Sequence, residues 1–177
     1  MARLSILSLG TLQISLDAVP LTAFTSDKAR ALLTYLAVES DRPHRRESLV
    51  GLLWPEYPER RARHTLSQAL LSVRQVTGDQ QADPAARFFD VRPDTLQFCR
   101  GSDYWLDLEP FTMAHRESAF GAAASLATLE QASALYRGPF MDGFSLADSP
   151  AFEEWLLLLR ERLERAAMQL LEEFGAG

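Results

Sequence analysis

Arg60, Arg61, Arg63 and His64 cluster at the head of the segment PEYPERRARHTLSQALLSVRQV, residues 55–76, and Thr65, Gln68, Ser72 and Gln75 follow them. Arginine is a permanent cation whose forked donors match phosphate oxygens. Hydroxyl, amide and imidazole groups both give and accept hydrogen bonds, the chemistry needed to read the edges of bases. Spacing places these groups on a helix. With Leu66 as reference at about 100° per residue, Ala69, Leu70, Val73 and Val76 stay within about 80° of it, so one stripe of the segment needs a core. Arg61, His64, Gln68 and Gln75 occupy the opposite side, with Thr65 and Ser72 at its border. From spacing alone such a face is either solvated or a reading surface.

The elements that would hold this helix are legible around it. Residues 3–22 alternate apolar and polar about Gly10 and Asp17-Ala18, which predicts two or three short strands. Thr25 or Ser26 can cap a helix carrying Ala29, Leu32, Leu33, Leu36 and Ala37, which ends near Glu39–Asp41 before Pro43. A shorter helix over Arg45–Trp54 turns Leu49, Leu52 and Leu53 inward and stops at Pro55. The helix of the basic cluster ends at Gly78. A polar, mobile stretch at Asp79–Ala86 precedes RFFDVRPDTLQF, a hairpin about Pro93-Asp94. Asp103–Leu108 is a third extended piece. Pro110 then opens an all-helical remainder with helices over Phe111–Tyr136, broken near Gly121, and over Ala151–Phe174.

Charge is unevenly divided. The formal net charge is −6, yet residues 1–110 hold 13 Lys and Arg against 14 Asp and Glu, while residues 111–177 hold 5 against 10. Seven arginines between Arg42 and Arg74 face three glutamates, a local +4. A surface field depends on charge within about 8 Å at physiological salt, so a basic patch on this acidic chain can still attract phosphate. The longest apolar run, Trp155–Leu159, is too short to span a membrane, and no signal-peptide pattern is present, so a cytoplasmic chain without membrane partners is expected.

Catalytic readings find little support. His44, His64 and His115 lack metal-ligand spacing, no glycine-rich phosphate loop occurs, and neither metal, cofactor nor catalytic residue is expected. Cys99, the single cysteine, falls beside Phe98 on a predicted strand and reads as a small buried hydrophobe. Glu153-Glu154 and Glu172-Glu173 diverge by about 100° along their helix, as solvated pairs do. Trp54, Trp105, Phe88, Phe98 and Phe152 are claimed by the apolar periodicity and read as core.

Several runs, taken in order, resemble the SARP-type bacterial transcriptional activators. These are Gly10-Thr11-Leu12, Lys28-Ala29-Arg30-Ala31-Leu32-Leu33, Arg46…Leu49…Leu53-Trp54-Pro55, Arg63-His64-Thr65-Leu66 and Val73-Arg74. Asp103-Tyr104-Trp105-Leu106-Asp107-Leu108…Phe111 is similar to the family's junction. Leu135-Tyr136-Arg137-Gly138-Pro139-Phe140, with Phe152…Trp155…Arg160…Leu163, is similar to the start of its TPR-like bacterial transcriptional activator domain. Where family members often carry Leu-Arg-Arg, this chain has Val73-Arg74-Gln75.

The resemblance implies an α+β winged helix-turn-helix over residues 1–109, then the start of an all-α TPR-like segment over 110–177, as an N-terminal fragment or an unusually small member. It implies sequence-specific binding to double-stranded promoter DNA with activation. Arg60, Arg61 and Arg63 would meet phosphates, and His64, Thr65, Gln68, Ser72 and Gln75 would face the groove. Arg92 and Arg100, flanking the hairpin strands, would serve the wing. Lys28 and Arg30 would have a structural or backbone-contact role. The loop Pro55–Arg61 would contact RNA polymerase. Leu156, Leu157, Leu159, Leu163, Ala167, Leu170 and Leu171 would give the last helix an apolar surface for a homodimer through the C-terminal helices. The competing reading is a protein-interaction module whose winged helix no longer binds DNA.

Overall fold

The computed structural model describes residues 3–121 and 125–176. The alternation at the N-terminus becomes three strands, β1 (Leu4–Leu7), β2 (Gln13–Leu16) and β3 (Val19–Pro20). β2 and β3 pair antiparallel with Leu16 opposite Val19. The intervening Asp17 and Ala18 have φ of 50° and 67°, the positive values that a two-residue hairpin turn requires. Asp17 also accepts the Arg3 N–H at 2.8 Å.

Helix α1 (Asp27–Val38) starts at Ser26, whose Oγ accepts the Ala29 N–H at 3.1 Å. Its buried face holds Ala29, Leu32, Leu33 and Leu36. After it the chain turns over Glu39–Arg42, and His44–Arg45 form a two-residue strand, β4, that periodicity did not announce. Helix α2 (Arg46–Leu53) therefore begins one residue later than expected. Helix α3 (Glu59–Val76) carries the basic cluster, and Gly78, with φ of 72°, follows its end.

The stretch Asp79–Ala86 departs from expectation. It is two short 3₁₀ turns, Asp79–Gln81 and Pro84–Ala86, anchored by a fully buried carboxylate. Asp79 accepts the Phe88 N–H at 2.6 Å and Arg74 Nε at 3.0 Å, so one side chain ties the end of α3 to the start of the hairpin. That hairpin is β5 (Phe89–Val91) and β6 (Thr95–Phe98), closed by the Arg92 N–H on the Thr95 carbonyl at 3.0 Å. Strand order in this sheet is β4-β6-β5. Phe98 anchors it, edge-on to Phe89 and Tyr104 with centroids 5.6 and 4.9 Å away.

Strand β7 (Tyr104–Leu106) completes a second sheet of order β3-β2-β1-β7. Helices α4 (Leu108–Ala119), α5 (Leu126–Leu135) and α6 (Pro150–Ala176) follow. Pro110 falls inside the first turn of α4 instead of before it, where its missing N–H costs no helical bond. The helix expected over Phe111–Tyr136 is two helices. Gly121 ends the first with φ of 73°, and positions 122–124 of the expected helix lie outside the described residues.

The chain divides into two compact units that interleave in sequence. One contains Ile14–Trp105 with the described residues up to Ser5 and the segment Ser145–Glu153. That segment is held by Ser149 Oγ donating to the Leu53 carbonyl at 2.8 Å and by Lys28 Nζ on Asp148 at 2.8 Å. The other contains Ile6–Gln13, Leu106–Phe144 and the chain from Glu154 onward. Within it the turn around Pro139 is stitched to Ser8–Gly10. Gly10 N–H reaches the Pro139 carbonyl at 3.2 Å, and Arg137 N–H reaches the Leu9 carbonyl at 3.0 Å. A Cβ on Gly10 would approach Arg137 Cβ to 3.1 Å, and its φ is 124°, so glycine is required twice over. Buried Asp107 accepts the N–H groups of Ser8 and Leu9 at 2.9 Å, while Arg160 donates to the carbonyls of Phe140, Met141 and Phe144 at 2.8 to 2.9 Å. The motif residues of this half are thus employed in holding its backbone.

Two expectations about apolar residues change. Trp105 is half-exposed, with the Arg3 guanidinium 5.9 Å from its ring centroid. On α6, Leu156, Leu159, Leu163, Ala167 and Leu170 are buried, which leaves Leu157 and Leu171 of the expected surface exposed. Leu158 and Met168 are exposed as well. Among the described residues no helix is long and apolar enough to cross a membrane.

Candidate nucleic-acid interface

Helix α3 packs Ala62, Leu66, Ala69, Leu70 and Val73 inward, and this fixes what it presents. Arg60, Arg61, Arg63, His64, Gln68 and Gln75 are all exposed, on an arc of about 160° by helical geometry. Ser67 shares that arc. It was legible from the same projection, at 100° from Leu66, but was not singled out. Most of the arc's polar groups belong to the first half of the helix. Gln75 sits about 16 Å beyond His64 along the axis.

The partners of these side chains differ. Arg63 is paired with Glu59 at 3.1 Å and Glu47 at 3.6 Å, all three well exposed. Exposed pairs are worth about 0–1 kcal/mol, so a phosphate can replace the carboxylates at little cost. Arg61 stacks on Tyr57, its guanidinium carbon 4.2 Å from the ring centroid, so it is oriented toward the loop before α3. Half-buried Thr65 donates its hydroxyl to the Arg61 carbonyl at 2.8 Å and keeps its acceptor lone pairs.

Ser72 does not belong to this surface. It is 3% exposed, and its Oγ accepts the Thr25 N–H at 3.1 Å, tying α3 to the approach of α1. A border position on the wheel turned inward because α1 packs on that side. Arg74 is likewise committed, to Asp79.

The hairpin supplies a second surface. Arg92 is exposed at its tip beside Pro93 and Asp94 and pairs with Asp90 at 3.1 Å. Arg100 is exposed too but follows β6 at the opposite end, about 16 Å along the strand from Thr95. The two wing arginines are therefore separated. In place of Arg100 the fold brings Arg45 and Arg46 to the tip, because β4 pairs with β6, Arg45 opposite Thr95. Both arginines belonged to the basic cluster in sequence, yet nothing local signalled that pairing.

Arg45, Arg46 and Arg63, against Glu47 and Asp94, line with Leu66, Ser67 and Pro93 a depression of about 240 Å³ between α2, α3 and the tip, where the cations outnumber the carboxylates by one. A larger one, about 360 Å³, lies at Thr77, Gly78 and Phe88 but carries Asp83 and Asp103 and no cation, the wrong sign for phosphate. Cys99 is half-buried, and burial, reinforced by Asp90 and Asp79, pushes its thiol above the usual range, away from nucleophilic use. Lys28 is engaged with Asp148 and lies 5.7 Å from the Trp54 centroid, in keeping with a structural role. Among the described residues no cluster of potential metal ligands occurs.

A helix-turn-helix of α2 and α3 with a β-hairpin beyond it, followed by a helical segment, defines a winged helix-turn-helix of α+β type. No protein-family model matches the chain. The transcriptional regulatory protein EmbR of Mycobacterium bovis and of Mycobacterium tuberculosis is 31% identical over 147 residues, 79% of this chain and 37% of each relative. The structure of Mycobacterium tuberculosis EmbR in complex with a low-affinity phosphopeptide matches with a TM-score of 0.70 at 26% identity, over 94% of this chain and 44% of that one. Over most of its own length the chain is similar to these SARP-type transcriptional regulators, and it spans less than half the length of each.

Proposed function

We propose that the chain binds double-stranded promoter DNA through the first half of α3 and the tip of the wing, and that it activates transcription in the cytoplasm. The observation that carries this reading is the exposed arc of α3, where Arg60, Arg61 and Arg63 precede His64 and Gln68 beside the cationic depression at the wing tip. The arginines set position on phosphates, and His64, Thr65, Ser67 and Gln68 address base edges in the major groove. Gln75 serves the distal end of the same face. Arg92 touches the backbone or minor groove at the wing, and Arg100 makes at most a separate backbone contact. In this reading residues 1–109 form the DNA-binding domain and residues 110–177 the start of a helical domain for protein contacts.

Binding isotherms over a range of salt test it. Arg63→Ala and Arg61→Ala are expected to weaken binding on all sequences alike, each lowering the slope of log affinity against log salt by about 0.9. Unchanged slopes in both remove these arginines from the phosphate contacts, and no salt-dependent, sequence-selective binding by the intact chain removes the reading. By family resemblance, the loop Pro55–Arg61 contacts RNA polymerase. A homodimer through residues 140–177 would rest on exposed Leu157, Leu158, Met168 and Leu171 of α6. Sedimentation at tens of micromolar decides that point, since a strictly monomeric chain excludes the dimer.

A further inference from the structure

We propose that Arg46 is a positioning residue that braces the wing tip for its DNA contact. This rests on the DNA-binding reading above. By charge alone Arg46 is one more cation in the basic cluster. The geometry employs it differently. Its Nε and Nη2 both donate to the Arg92 carbonyl, at 3.2 and 3.0 Å. Its backbone N–H donates to the Asp94 carbonyl at 2.9 Å. The ladder that pairs His44 with Leu96 and Arg45 with Thr95 thus runs on by one residue, from strand into the first turn of α2.

The bond to Asp94 satisfies one of the N–H groups that a helix start leaves without an internal partner. The fork grips the tip from the side chain. Arg92, Pro93 and Asp94 are all exposed, so no buried side chain of the tip holds it in place. Two charge-assisted bonds converging on one carbonyl supply that restraint, in a planar geometry that lysine cannot reproduce. Two of the five guanidinium donors are spent on this grip, which fixes the plane of the fork against the tip that carries Arg92. The two arginines therefore act as a unit, one presenting the other.

The test is a double-mutant cycle on the intact chain, with amide exchange read in the absence of DNA. In the DNA-free protein, Arg46→Gln is expected to speed exchange of the Arg92 amide at least several-fold while the amides of α3 keep their protection. In binding, Arg92→Ala should cost about five-fold in the parent and less than about two-fold in Arg46→Gln. Arg46→Lys keeps the charge but not the fork, so it should lose the coupling to Arg92 and speed exchange at the tip as Arg46→Gln does.

Additive losses, or an Arg92→Ala variant that binds as the parent does, overturn the proposal. So do unchanged exchange at the tip and an Arg46→Lys variant that fully restores both readouts. Faster exchange at the tip in a chain that binds no DNA at all would instead remove the proposed function, leaving the brace without its DNA role.

Discussion

The two halves of α3 carry the same kinds of side chain, yet in the second half Ser72 and Arg74 are already claimed while Gln75 stays exposed. In the first half, Arg63 is paired with exposed carboxylates, and His64 faces outward, as does Gln68 just past the middle. In the second, Arg74 is held by buried Asp79, and Ser72 accepts a backbone N–H from beyond the helix. The helical wheel reports direction to within a few tens of degrees. It does not report whether a neighbouring element has already claimed the group. A polar side chain is available to a ligand when its present partners are wet and replaceable, and unavailable when its loss would strand a buried donor or acceptor.

The largest expected effect tests the claimed end. Asp79→Asn weakens the pairing of Arg74 and the acceptor for the Phe88 N–H, and should lower stability by about 3 kcal/mol in urea unfolding. The variant, once folded, should keep its salt slope for DNA. A loss under about 1 kcal/mol would mean that the second half is no more committed than the first.

Gln68→Ala tests the open end. Specific affinity should fall by about 1–3 kcal/mol while affinity for random duplex stays nearly constant. Equal losses on both would make Gln68 a positioning contact and blur the contrast. Ser72→Ala should do the reverse, costing about 1 kcal/mol of stability by stranding the Thr25 N–H and leaving sequence preference unchanged. A shifted preference in bound sequences selected from a random pool would return Ser72 to the reading surface.

The smallest effect separates distance in sequence from burial. Lys28 and Asp148 are far apart in the chain, like Ser72 and Thr25, but Asp148 is half-exposed. The Lys28 hydrogen bond holds the Asp148 carboxyl below its ordinary value of 3.8, against the opposing pull of burial. A lowered folded value contributes stability that is present above the ordinary value and lost as pH falls through the lowered one. The melting temperatures of the parent and Asp148→Asn should therefore differ slightly near neutral pH and converge below about pH 4. A difference that grows on acidification would contradict the pairing.

The sequence by itself determined the order and type of most elements. Strand alternation, the Ser26 cap, the apolar stripe of α3, Gly78 and the Pro93-Asp94 turn are local rules, each acting within a few residues. The exposed arc of α3 was legible for the same reason, since its period is that of the backbone. What the tertiary structure alone decided is which of those polar groups remain open. Ser72 was closed by Thr25, and the stretch Asp79–Ala86 was ordered by one carboxylate that finds donors at Arg74 and Phe88. Arg100 was left at the far end of its strand while Arg45 and Arg46 arrived at the tip through a two-residue strand too short to show a pattern. On α6, five apolar residues expected at the surface were buried by the chain's own packing. Each outcome depends on a partner distant in the chain, and no local periodicity carries that information.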